Sequence, residues 1–514
     1  MKNKFFNEAF FLLFLILFYY SISFFYAQQH LSAHWTAVYD HEMLLVYNSL
    51  LFNSAIEQEL TDHSGYFTIL STSFYFKILN FFNLIEIYKF SQIYDYNLTQ
   101  IFGNSIYHLR VFSVYIVVIT LITATYLFNI LFKNKIFSFF LVIILFFLYG
   151  NLSILYATRT EQFSIFFILL SLIGLFNFFE KNKFIYFVIF LFFIFCSIIN
   201  KAQVIYYLPL ILLYSFYINK KHISFDLNLP DKVNKNKLLI YIFTFFFVFL
   251  TLKSLIFLGD YKSWIFLIAI LSILNFFFFK ISDKKKRIDN IIIFNISIII
   301  SYIFFNIIIF LHPSASLVSL EKTIFAVIKY TSVYNPDISN ASFFEFVFNT
   351  IKILTENFIY ILKKFFFSIN SYSIMLIGTI IIFVINLKIY SKNDIKIIAL
   401  LLLSVFAIFS INLIRADRPH YYSFIDYIIV MLLGFVLKDL SKKISICFLT
   451  TFVILIFYLN IYRDYARVFT QKVFWNETAY ICDDYRNNEN NFLVTWHKKI
   501  PLDKFEDFCN KRAP

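Results

Sequence analysis

Residues 109–132 read LRVFSVYIVVITLITATYLFNILF, and Lys133-Asn134-Lys135 closes the run. Its one charge, Arg110, lies in the first turn. About 20 apolar residues are needed to cross the ~30 Å hydrocarbon core of a bilayer as a helix, so this stretch reads as a membrane span. Comparable runs stand at 5–27, 136–156, 162–179, 184–199, 204–218, 238–258, 263–279, 291–312, 371–388, 397–413, 424–437 and 444–462, which makes thirteen. The composition agrees. Of 514 residues, 60% are hydrophobic and 15% charged, against about 25% charged in a soluble domain. With 75 Phe and 36 Tyr, the chain carries more apolar surface than a soluble fold can bury, whereas a bilayer solvates it.

Lys and Arg orient the spans. The expected inner segments 1–4, 133–135, 180–183, 219–237, 280–290, 388–396 and 438–443 hold 22 Lys/Arg in 56 residues, including Lys284-Lys285-Lys286-Arg287. The short outer turns 157–161, 200–203, 259–262 and 414–423 hold five. The first span, preceded by Met1-Lys2-Asn3-Lys4, reads as an uncleaved anchor with its N-terminus inside. An odd number of spans then leaves the C-terminal tail outside. The net charge of +14 is thus mostly an orientation signal, and nucleic acid is not implied as a partner. Residues 1–463 form the membrane domain, with long outer loops at 28–108 and 313–370. Residues 464–514 form a small outer tail. No GxxxxGK loop, zinc spacing or repeat of 20–50 residues is present. The expected fold class is an all-α polytopic membrane protein with amphipathic helices in the first outer loop.

That loop carries the chemistry. It contains His30, His34, His41, His63 and His108 together with seven acids, and its centre is Tyr39-Asp40-His41-Glu42. Apolar residues at Met43, Leu44, Tyr47, Leu50 and Leu51 have helical spacing on one side, which predicts a helix lying on the membrane surface. Asp40 is either the N-cap of that helix or a general base at the membrane boundary, where desolvation raises a carboxyl's pKa. Asp62-His63-Ser64-Gly65 is a turn that either only reverses the chain or brings a second pair of site residues back toward Asp40. Apolar residues in 342–368 predict a surface helix that either covers the site or connects spans. An anionic leaving group needs cations near the outer ends of helices. Candidates are Arg110, Arg159, Lys201, Lys253, Arg415 and Arg418, with Tyr421 beside the last. The plainer reading of each is a snorkelling cation or a local pair, such as Arg159 with Glu161 or Arg418 with Asp426.

Tyr39-Asp40-His41-Glu42, Tyr47-Asn48-Ser49-Leu50-Leu51 and Asp62-His63-Ser64-Gly65-Tyr66-Phe67 follow one another after a first span. This order resembles the GT-C glycosyltransferases, nearest the protein mannosyltransferases that use dolichyl-phosphate mannose and the bacterial aminoarabinose transferases of lipid A. Ser64-Gly65 stands where those families carry two prolines. The resemblance implies a GT-C fold and a polyprenyl-phosphate sugar donor drawn from the membrane lipid. It further implies an acceptor of unspecified type and an inverting transfer with Asp40 as base and Glu42 as second acid. Asp62, His63, Arg159, Lys201, Arg415, Arg418 and Tyr421 would bind substrate. No metal is obligatory, although Asp40, Glu42 and His63 would suit a divalent ion if they converged. The compartment implied is a bacterial inner membrane, with the site on its periplasmic face. A flippase for lipid-linked saccharide and a polytopic glycan polymerase or ligase are the alternatives.

Cys196 and Cys447 fall in spans, and Cys482 and Cys509 in the tail, so the last two are expected to form a disulfide in an oxidising compartment. A reporter active only outside the cytoplasm should be active when fused after Pro514. Activity of a cytoplasm-specific reporter there would contradict the topology.

Overall fold

A computed structural model describes residues 2–38, 42–57, 59, 65–155, 158–181, 183–201, 204, 237–255, a few residues between 268 and 282, 287–310, 343–367, 371–415, 422–459, 482 and 499–510. The apolar runs are helices. Around the first loop these are α1 (Lys2–Ser32), α2 (Leu44–Asn53), α3 (Tyr66–Phe81) and α4 (Leu98–Phe132). Then come α5 (Lys135–Phe147), α6 (Tyr149–Leu155), α7 (Thr160–Lys181), α8 (Phe184–Asn200), α9 (Lys237–Leu255) and α10 (Arg287–Phe310). The remainder are α11 (Phe343–Phe367), α12 (Ser371–Ile385), α13 (Lys392–Arg415), α14 (Ser423–Leu437), α15 (Lys442–Leu459) and α16 (Leu502–Asn510). Among the described residues, four helices are long and apolar enough to cross a membrane: the part of α1 from Asn7 to Gln28, α4, α7 and α15. The bent pair α5–α6 makes a fifth. Among the described residues the protein is mostly helical with no strands, the make-up of an all-α multi-pass membrane protein. The expected span 204–218 and most of 263–279 lie outside the described residues.

α1 and α4 run antiparallel. Glu8 pairs with Lys135 near one end, Tyr19 Oη lies 2.8 Å from Thr125 Oγ1 midway, and Arg110 meets the carbonyls of His30 and Ala33 at the other end. α4 begins well before residue 109 because Asn97 caps it. The Asn97 side chain accepts the Gln100 N–H at 2.9 Å, and the Gln100 side chain accepts the Asn97 N–H at 3.0 Å, a reciprocal capping box. α7 and α8 pack closely through small residues. Ser197 Oγ donates to the Ser164 carbonyl at 2.8 Å, and a Cβ on Gly174 would sit 3.0 Å from the Phe190 nitrogen. Small residues let backbones approach where lipid offers no hydrophobic drive between helices.

The run 136–156 is broken: α5 and α6 meet at 69°. The break frees N–H groups that lipid cannot satisfy. Asp426 of α14 accepts from the Asn151 N–H and from its side chain, each at 2.8 Å, while Tyr372 Oη accepts the Gly150 N–H at 2.9 Å and bonds to Asp426. Asp426 is therefore engaged by α6 and α12; Arg418, its expected partner, lies outside the described residues. α11 packs lengthwise on α13, with Phe358 against Phe406 at 5.7 Å and Ile361 buried. Ile361 is the one buried side chain among its described residues, and Phe348, Ile351, Ile359 and Tyr360 are exposed, so α11 lies along the outside of the bundle against α13.

The first loop and the tail share one core. Trp35 stacks near Phe102 at 5.9 Å and Phe508 at 5.3 Å, and Phe505 is fully buried. Lys504 Nζ donates to the carbonyls of Tyr96 (2.6 Å) and Tyr94 (3.0 Å), and the Lys499 N–H donates to Tyr47 Oη. Cys482 and Cys509 are disulfide-bonded inside this core. The tail thus meets the chain at the end of α1 opposite Met1, which requires an odd number of crossings. The helix expected on the membrane surface differs from expectation: every residue of α2 is buried. α3 and the tail cover the sides that its sequence pattern left open, and Asn48 is satisfied within this core by the Leu44 carbonyl and the Glu59 N–H.

At Gly150 an added Cβ would lie 2.4 Å from the Ser423 nitrogen and 2.6 Å from Asp426 Oδ2. Gly150→Ala should cost about 1–3 kcal/mol, the usual range for overpacking, read as a lower melting temperature in detergent. An unchanged midpoint would contradict this contact.

Candidate functional site

The site is built where the loop ends of α1, α3, α4, α7 and α8 meet. Glu42 lies just before α2 and is fully buried. His30 Nε2 is 2.7 Å from its Oε1, Arg110 Nε is 2.9 Å from its Oε2, and the Thr158 N–H donates to Oε1 at 3.3 Å. Arg110 is 1% exposed and also donates to the carbonyls of His30, Ala33 and His34. Those carbonyls close α1, so the guanidinium both caps a helix end and neutralises its negative pole. Burial alone would push the Glu42 carboxyl up. The charges and hydrogen bonds of His30 and Arg110 outweigh burial and hold it down at about 2.

A second cluster adjoins the first through Thr158. Gly65, at φ +41°, precedes α3, and a Cβ there would strike Thr160 Cγ2 at 2.1 Å. A left-handed residue pressed against a neighbour is a place for glycine. The N-termini of α3 and α7 therefore touch. Asn200, at the end of α8, ties both. Its Oδ1 accepts from the Thr68 N–H (3.0 Å) and hydroxyl (3.1 Å), and its Nδ2 donates to the Thr160 carbonyl (2.6 Å) and Ser164 Oγ (3.2 Å). Lys201 Nζ pairs with the buried Glu161 at 2.7 Å. Half-buried Arg159 stands between Thr158 and Thr160. On the other side of α7, Gln162 bonds to Ser113 Oγ and to the Ile154 carbonyl.

The structure thus gathers Glu42, Arg159 and Lys201 at one end of the bundle. Asp40, Asp62, His63, Arg418 and Tyr421 lie outside the described residues, as does the side chain of Arg415, which ends α13. Two expectations change. Arg110 has its donors taken by Glu42 and three carbonyls, so it is a structural cation and not a phosphate contact. Glu161 pairs with Lys201, where a pairing with Arg159 was expected. The roles of His30 and Asn200 were not singled out from sequence; His30 counted there only as one of the five loop histidines, and Asn200 as a polar residue bounding the run that became α8. Among the described residues, no three His, Cys, Asp or Glu side chains gather as a metal site.

The cations and carboxylates of this end are largely matched: Arg110 meets Glu42, and Lys201 meets Glu161. Two helix N-termini, each worth roughly half a positive charge, converge beside Arg159 and Lys201. Helix N-termini with a cation alongside are ready-made phosphate sites. Below them, an apolar cavity between α4, α7 and α14 is lined by Leu127, Phe128, Ile165, Leu169, Tyr427 and Met431. Ile165 is only five residues, about 8 Å of helix, below Thr160.

No family model, no curated protein and no solved structure matches the chain.

Removing one partner of a buried pair costs about 3–5 kcal/mol, so Arg110→Met should lower the melting temperature sharply. Because the Glu42 pKa is depressed in the fold, its stabilisation is complete above the ordinary 4.5 and is lost as pH falls from 4.5 toward 2. Melting temperatures should decline through that window, and Glu42→Gln should flatten the decline. A Glu42→Gln profile parallel to wild type would contradict the assignment.

Proposed function

We propose that the protein is an inverting glycosyltransferase that moves a sugar from a polyprenyl-phosphate donor to an acceptor hydroxyl. The observation that carries this reading is the meeting of the α3 and α7 N-termini with Arg159 and Lys201, on the same helix α7 that lines an apolar cavity further along the bundle. A lipid chain lying against α7 would present its phosphate to that positive end. GT-C-like organisation and thirteen spans belong to the same proposal, which the odd number of crossings supports. So does a bacterial inner membrane with the site on the periplasmic face.

In the proposed step Asp40, two residues before Glu42, takes the acceptor's hydroxyl proton. The acceptor oxygen bonds to the anomeric carbon from the face opposite the phosphate. The carbon–phosphate-oxygen bond breaks, and polyprenyl phosphate leaves with the electron pair. Arg159 and Lys201, with Arg415 and Arg418 in the segment joining α13 to α14, stabilise that developing charge. Tyr421 stands in the same segment, and Asp62 and His63 just before Gly65 contribute to binding. Glu42 has both oxygens engaged, so its part is to anchor the start of α2. The reaction calls for no metal.

A second reading, transport of a lipid-linked saccharide, draws on the α5–α6 break, since discontinuous helices build transporter sites. Kinetics separate the roles. Asp40→Asn should reduce kcat about 10²–10⁴-fold, the range for a lost general base, while Arg159→Ala should mainly raise KM for the donor. Near-normal turnover in Asp40→Asn would remove it as base, and an unchanged KM in Arg159→Ala would remove the phosphate assignment.

A further inference from the structure

α3 has two apolar faces, and only one is covered. Tyr66, Phe67, Ile69, Phe76 and Leu79 are buried in the loop core. The other face carries Phe74 (63% exposed), Lys77, Ile78 (39%), Phe81 (80%) and Phe82 (63%), with Leu84 (54%) in the turn beyond. Water is a poor solvent for such a stripe, which contains two adjacent, highly exposed phenylalanines.

Its position indicates what covers it. Tyr75 stacks on Phe112 of α4 at 4.6 Å, and the Leu84 carbonyl accepts from Asn104 Nδ2 at 3.2 Å. α3 therefore runs obliquely beside the loop end of α4. The exposed large apolar residues of α4 are Tyr107, Tyr115, Ile119 and Tyr126, spaced as one helical stripe on a helix long and apolar enough to cross a membrane. At 1.5 Å per residue the 35 residues of α4 extend about 52 Å, some 20 Å more than the hydrocarbon core. Counted from Lys133, the core ends about twenty residues along, near Phe112, the residue that Tyr75 touches. Tyr75, Tyr107 and Tyr115 gather about that level, as aromatic residues do at membrane interfaces. Lys77, exposed within the apolar stripe, has the reach to extend its ammonium to headgroups while its stem stays in the apolar layer.

We infer that the Phe74–Leu84 face of α3 is immersed in the interfacial layer of the phospholipid leaflet on the loop side, continuous with the lipid-facing stripe of α4. The interfacial helix of the first loop is then α3, while α2 is internal. It follows that the Gly65–Thr160–Asn200 junction, at the deeper end of α3, lies at or below headgroup level. The inference stands without the proposed reaction, because it rests on exposure and contacts alone.

Site-directed spin labelling tests it on the full chain in vesicles of phosphatidylethanolamine and phosphatidylglycerol. Cys447→Ser removes the exposed free thiol, and Phe81→Cys or Phe74→Cys carries the nitroxide. Glu86→Cys, exposed beyond the apolar turn, serves as the aqueous reference. At 81 and 74 the label should collide more with oxygen than with a water-soluble nickel chelate, with the opposite preference at 86. Nickel accessibility at 81 and 74 equal to that at 86 would put this face in water. An immobile label shielded from both reagents would mean a protein covers it, either a second copy or another partner. Either result overturns the inference, and two labelled positions guard against a local disturbance at one.

Discussion

Everything at the loop end depends on the buried contact between Arg110 and Glu42. A charge this deep is tolerated only when each donor and acceptor is met. Arg110 meets that condition by spending its donors on one carboxylate and the carbonyls of His30, Ala33 and His34 at and just past the end of α1. One side chain of α4 thereby fixes where α1 ends. Through Glu42 it also fixes where α2 begins and, by the Thr158 N–H, where the chain turns into α7. The arrangement ties α1, α2 and α7 together beneath the candidate site.

The same rule, that buried backbone must find partners, explains features distant from the floor. In water the break between α5 and α6 would be solvated; here Asp426 and Tyr372 supply the missing acceptors. At the α3–α7–α8 junction one amide, Asn200, satisfies four groups on two other helices. These polar ties link the apolar bundle to a loop unit stapled by Cys482–Cys509. The result is a continuous scaffold with its polar chemistry concentrated at one end.

The bundle was largely legible in the sequence because the bilayer imposes a length and polarity on each span that a hydropathy pattern reveals. The α4, α7 and α15 helices and the disulfide follow directly from runs and cysteine positions. Burial of α2 was not legible. Periodicity shows that one face is apolar, but not that α3 and a tail some 450 residues away close over the other. The Lys201–Glu161 pair and the Arg110 cap were hidden for a related reason: which cation meets which acid depends on helix rotation, which a span pattern leaves free. Of the acid-x-acid segment, Glu42 is held by His30 and Arg110, a pairing that its sequence neighbours do not reveal.

The most direct measurement is the chemical fate of the donor when purified protein is incubated in detergent micelles with a polyprenyl-phosphate sugar and candidate acceptor hydroxyls, with no compartments and no ion gradient. Mass spectrometry of the lipid fraction should show free polyprenyl phosphate accumulating in step with glycosylated acceptor of inverted anomeric configuration. A donor that is bound yet recovered intact across acceptors would contradict the transferase reading and favour transport.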